Sequence, residues 1–145
     1  MSVTPTTPGA IRDALVTYIA GMTPTTRPDL RWRYRRDEEI DSANPRAYSM
    51  SCLPSSQEFE GPYGGGGVSA AFDLEIRVGM LGLPREDAEE IASDDRRDLE
   101  KLIHPLPQHG AQGIAGLLPL LEPVTYELDE SVAIFTIPIR YWEAS

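Results

Sequence analysis

Phe72-Asp73-Leu74-Glu75-Ile76-Arg77-Val78-Gly79-Met80 alternates apolar and polar positions without a break. Phe72, Leu74, Ile76, Val78 and Met80 fall on one side, and Asp73, Glu75 and Arg77 on the other. A period of two marks a strand with one face on a core and the other in water. The reading extends this strand over 68–80. Pro84 then opens a helix that reaches about Ile103, with a buried stripe of Ala88, Ile91, Ala92, Leu99, Leu102 and Ile103. Its early turns are acidic (Glu86, Asp87, Glu89, Glu90), and Arg96, Arg97 and Lys101 come late, as the helix dipole favours. Val124 to Trp142 read as two strands around an acidic turn at Asp129 and Glu130.

Upstream of this block, Thr7 and Pro8 read as the N-cap and first residue of another helix. Ile11, Leu15, Tyr18, Ile19 and Met22 recur at helical spacing, and the helix is placed over 8–21. Arg31-Trp32-Arg33-Tyr34-Arg35 alternates arginines with aromatics as a strand would, and Arg46 to Leu53 offers a second strand. These two read as a long-looped antiparallel pair. Residues 54–67, with four glycines at 64–67, read as a long loop, because glycine-rich backbone loses the most entropy on ordering. Residues 104–123, rich in proline and leucine, read as an apolar connection without regular structure. In the last strand Ala133, Phe135, Ile137, Ile139 and Tyr141 face one way, and Pro138 implies an edge or a bulge. The elements add up to an α+β fold, a mostly antiparallel sheet of about four strands backed by two α-helices. One domain over 1–145 is expected, with a flexible N-terminus at 1–7.

Composition narrows the function classes. At 145 residues the chain has room for one core, and no apolar run approaches the roughly 20 residues of a membrane helix. The N-terminus shows no basic and apolar signal pattern, so an intracellular site of synthesis is expected. The one cysteine, Cys52, excludes an internal disulfide, and a buried apolar role is expected for it. Net charge is −10, which repels nucleic acid at long range.

No constellation of catalytic residues emerges. His104 and His109 lie five apart across two prolines, without the spacing or the third ligand of a zinc site. Tyr63-Gly64-Gly65-Gly66-Gly67 precedes a strand and lacks the lysine and hydroxyl of a phosphate loop. A partner-binding loop is the better reading. Arg31 to Arg36 with Trp32 and Tyr34 has the residue types of a single-strand binding patch. The adjacent Asp37-Glu38-Glu39 and the overall acidity point instead to salt bridging, within the chain or to a neighbouring copy. The eight acids from Glu86 to Glu100 read as a solvated helix face. No nucleophile motif is present, so no enzyme, cofactor or metal is expected.

The element order, with Ile11-Arg12-Asp13-Ala14-Leu15, Phe72 to Val78 and Val132-Ala133-Ile134-Phe135-Thr136-Ile137-Pro138-Ile139 as its carriers, resembles the tail terminator (tail completion) proteins of long-tailed bacteriophages. The resemblance implies a structural virion protein, made in the host cytoplasm and placed at the tail–neck junction. It implies a ring of copies, as a hexamer, that caps the tail tube, stops its polymerisation and offers a joining surface to the head. Its partners would be itself, the tail tube protein and the head–tail connector or neck proteins, with DNA passing through the lumen unbound. Arg31, Arg33, Arg35, Gly64, Gly65, Gly66, Gly67 and Pro138 are the expected interface residues. Two other readings stand beside this one: a neck or head-closure connector, and a small cytoplasmic ligand-binding or enzymatic α+β domain.

Overall fold

The computed structural model describes residues 6–24, 32–34, 46–54, 62–63, 67–80, 85–107, 114–129 and 132–144. Helix α1 spans Pro8–Ala20 and follows an extended Thr7 whose Oγ1 accepts the Ala10 N–H at 3.2 Å. That bond satisfies one of the donors a helix start leaves unpaired, and Pro8 sits where a missing N–H costs nothing. Thr7→Ala is expected to lower stability by about 1 kcal/mol, read as a shift in the urea midpoint. Helix α2 spans Arg85–Ile103.

The strands are β1 (Arg33–Tyr34), β2 (Ala47–Pro54), β3 (Pro62–Tyr63), β4 (Gly67–Gly79), β5 (Leu117–Leu118), β6 (Thr125–Asp129) and β7 (Val132–Ala144). They form one sheet in the order β1-β2-β4-β7-β5, with β3 also on β4 and β6 also on β7. The long strands β2, β4 and β7 and the hairpin strand β6 make an antiparallel sheet of about four strands, with three two-residue additions. The fold is α+β and mostly sheet, as the residue patterns imply.

Three local expectations change. The strand pair before the long loop is parallel, not antiparallel, with Arg33 beside Ala47 and Tyr34 beside Tyr48. Twelve residues separate Tyr34 from Ala47, about the length a parallel return requires. The proposed loop over 54–67 is not loop throughout, since Pro62–Tyr63 pairs with Gly67–Val68. The apolar connection after α2 also contains regular structure, because Leu117–Leu118 pairs with Arg140 and Tyr141 of β7.

One core joins the layers. Phe72, Leu74, Ile76 and Val78 of β4 and Phe135, Ile137 and Ile139 of β7 pack with Ile11 and Leu15 of α1 and Ile91 and Leu99 of α2. Leu102 packs partly buried against the same cluster. Both helices therefore lie on the sheet face that carries these residues. Among the described residues no helix covers the opposite face, where Asp73, Glu75 and Arg77 point.

Pro138 finds its explanation in the pairing of β7. On one side β4 follows β7 along its whole length. On the other, β6 pairs with 132–136 and β5 with 140–141, which leaves a gap at 137–139. A residue with no amide donor costs no ladder bond there. The strand is internal, and the edge is local to the proline.

Candidate functional site

Three arrangements are candidates for function: a buried ionic cluster, the open face of the sheet, and a groove beside the end of α2. The cluster centres on Arg46, which the sequence reading passed over. Arg46 is 4% exposed and adopts φ 69°, a left-handed conformation unusual for a side-chain-bearing residue. Its N–H donates to the Gly79 carbonyl at 2.8 Å, which ties the start of β2 to the end of β4. Its guanidinium donates twice to Asp95 of α2, Nη1 to Oδ2 at 2.8 Å and Nη2 to Oδ1 at 2.9 Å. The same Nη1 lies 3.6 Å from the Met80 sulfur, and the guanidinium carbon sits 5.7 Å from the Trp32 ring centroid.

Burial pushes the Asp95 carboxyl above the ordinary carboxylate value, with the two Arg46 hydrogen bonds and the arginine charge acting against it. The Trp32 indole N–H also favours the ionised form, although it has no partner of hydrogen-bonding geometry, and the charge of Asp98 opposes it. The folded protein thus holds the Asp95 proton more tightly than the unfolded chain does. Stability should rise as pH falls through the interval between the two pKa values. The net charge of −10 acts in the same direction through self-repulsion. Thermal melts should move upward as the pH is lowered toward the ordinary carboxylate value of about 4, with a flatter slope in Asp95→Asn.

This cluster is structural. Its charged side chains are 5% and 2% exposed, and a general acid or base must reach the proton it moves. Tyr48 beneath it has its phenol pushed up to about 12 by burial, with Tyr34 adding to the effect, so it stays neutral. Trp32 stacks at tilted angles on Tyr48 and Phe135 and is 7% exposed. A buried ring offers no surface for a stacked base, which removes Trp32 from the nucleic-acid reading.

The open face is different in kind. Asp73 and Glu75 of β4 and Glu127 and Asp129 of β6 share it with Arg77 and Arg140. Arg77 Nε donates to Glu75 Oε1 at 2.6 Å, and that bond, followed by the charges of Glu75, Asp129 and Glu127, raises the arginine's pKa. Across the same face Leu53, Asp73 and Pro138 lie side by side on β2, β4 and β7. Leu53 is 39% exposed, a large apolar side chain left in water.

The groove lies between the C-terminal turn of α2 and the segment that follows β5. It is an open depression of about 500 Å³, lined by Glu100, Ile103, His104, Pro107 and residues 119–123. Glu100 holds the wall in place, since its Oε1 accepts the Val124 N–H at 2.9 Å and pairs with Arg96 at 2.9 Å. Arg140 Nη2 donates to the Pro119 carbonyl at 2.8 Å from the other side. Leu121, 67% exposed, forms a ridge between the groove and a shallower hollow that contains Asp73 and Pro138.

The expected interface residues fare unevenly. Arg31, Arg35, Gly64, Gly65 and Gly66 lie outside the described residues, as does His109. Arg33 contributes backbone to β1, and Gly67 begins β4 between Tyr63 and Ala144. Pro138 lies in the hollow under Leu121. His104 is exposed at the end of α2, and the described residues contain no group of three acidic, histidine or cysteine side chains placed to hold a metal. Cys52 is partly buried, its thiol pushed up by burial and directed at the Pro8 carbonyl 3.7 Å away. Of the helix acids read as solvated, Asp95 and Asp98 are buried. Asp95 could have been found: it falls three residues after Ala92 and four before Leu99, on the apolar stripe itself.

No protein-family model matches the chain. No curated protein matches it. Of the solved structures that are similar to it, one matches over 94% of both chains, with 12% identity and a TM-score of 0.46, a likeness too weak to carry an argument.

Proposed function

We propose that this chain is a structural subunit of a bacteriophage tail, a tail terminator that caps the tube as a ring and provides the surface on which the head joins. The observation that carries the reading is the sheet face that no helix covers among the described residues, where acids outnumber bases and Leu53 stands partly in water beside them. A two-layer domain that leaves one face of its sheet open has a broad, rigid surface for assembly. The net charge of −10 suits a channel wall that duplex DNA must pass without adhering. Element order supports the same reading through its resemblance to this family.

A phage deleted for the gene tests it. Such particles should carry tails of abnormal length that remain unjoined to filled heads, and expression of this chain in trans should restore them. Infectious particles of normal tail length from the deletion would overturn the assignment.

A further inference from the structure

The two edges of the sheet carry opposite charge and stand level with each other. Among the described residues β1 pairs only with β2, and β6 only with β7, so each has one side of its backbone without a strand. One register row crosses the whole sheet, through Tyr34, Tyr48, Val78, Ala133 and Leu128. Its two ends, Tyr34 and Leu128, are half-buried and pack on the margin of the core. The next row begins with Arg33 beside Ala47 and ends with Asp129 beside Val132. Glu127 and Asp129 are both exposed, and β6 contains no base. Arg77 adds its charge near them but is itself bound to Glu75. Around Arg33 the sequence from Arg31 to Arg36 has four arginines and no acid. Pairing either edge with its own kind would set like charges together, which destabilises a strand pair.

We propose that β1 of one copy of this chain adds to β6 of the next, so that the sheet continues from subunit to subunit. Three antiparallel steps lead from β2 to β6, and β1 is parallel to β2. A second copy in the same orientation therefore meets β6 with an antiparallel β1. Tyr34 then stands across from the neighbour's Leu128, which carries the apolar layer over the junction, and Arg33 across from the neighbour's Asp129. Main-chain hydrogen bonds hold such an added strand, and the cross-strand pairs fix its register. The proposal rests on the ring reading and names the joint between its subunits. The two edges differ, so the contact is heterologous, and contacts of that kind close into rings or run on as filaments.

The test follows the mass of the full-length protein by light scattering and electron microscopy, and its amide hydrogen exchange, in solution and on isolated tail tubes. Wild type should assemble, and exchange over 125–129 should slow in the assembled form as the open side of β6 becomes bonded. Arg33→Glu and Asp129→Arg should each need about tenfold more protein to assemble, since each reversal replaces an attraction with a repulsion. Asp129 is exposed, so the thermal melt of its variant should match wild type. A one-to-one mixture of the two variants should assemble as wild type does, because every junction between unlike copies again sets a base against an acid. Wild-type assembly by each variant alone, or exchange over 125–129 that assembly leaves unchanged, would overturn the contact and leave the ring reading standing. So would variants that form normal rings but fail to seat on tubes, since the edges would then belong to the tube protein. Open filaments that the same variants abolish would support the contact and overturn the ring. A wild-type chain that stays single in solution and on tubes would overturn both.

Discussion

Ile76→Asp is expected to yield no soluble folded protein. Ile76 is fully buried at the middle of β4, facing Met50 across to β2 and Phe135 across to β7. The same cluster reaches Leu15 of α1 and Leu99 of α2, so the position belongs to the one core that joins the layers. A carboxylate placed there has no partner, and its desolvation, or the work of keeping it protonated, costs several kcal/mol on top of the lost apolar contact. Domains of this size have a total stability of about 5–15 kcal/mol. Expression in the soluble fraction and a thermal melt are the readouts, and a cooperative melt near the wild-type temperature would show the sheet face to be assigned wrongly.

Asp95→Ala should have the second largest effect. It leaves the Arg46 guanidinium buried without the carboxylate that takes two of its hydrogen bonds. Breaking a buried pair from one side typically costs about 3–5 kcal/mol, because the remaining charge stays out of water. Replacing both partners with apolar residues of similar size, Arg46→Met with Asp95→Leu, should recover most of that loss. The recovery will be incomplete if the left-handed backbone at Arg46 depends on its side chain, since that conformation costs roughly 1 kcal/mol in an ordinary residue. Urea unfolding of Asp95→Ala, of Arg46→Met and Asp95→Leu singly, and of the double variant separates these contributions. Equal losses in Asp95→Ala and in the double variant would show that packing, not charge, sets the cost.

The parts of the fold that were legible in the sequence are those in which one periodicity spans many residues. The strand read over 68–80 from the alternation at Phe72 to Met80 corresponds to β4, and the helix read from Pro84 to about Ile103 to α2, each to within a residue at its ends. The two-residue strands left no such trace. Leu117–Leu118 and Pro62–Tyr63 are too short to show a period, and their pairing is decided by what the long strands β7 and β4 present to them. The direction of β1 was hidden for a related reason, since alternation is the same in parallel and antiparallel strands. Asp95 was masked by its seven acidic neighbours, although its place on the apolar stripe marked it. Arg46 offered no local signal, because its burial is created by Trp32, Met80 and Asp95, which come from three separate stretches of chain.

The groove was equally invisible. Its walls come from the end of α2 and from residues 119–123, brought together by the hydrogen bonds of Glu100 to Val124 and of Arg140 to Pro119. That segment reads as an apolar connection from its composition, yet Leu121 is the most exposed large apolar residue among those described.

The proposed ring on the end of a tail tube can be checked by electron microscopy of purified protein incubated with isolated tail tubes. A ring of density on one end of each tube, coaxial with it and open along the axis, is the expected result. Tubes with bare ends, or density spread along their sides, would contradict it.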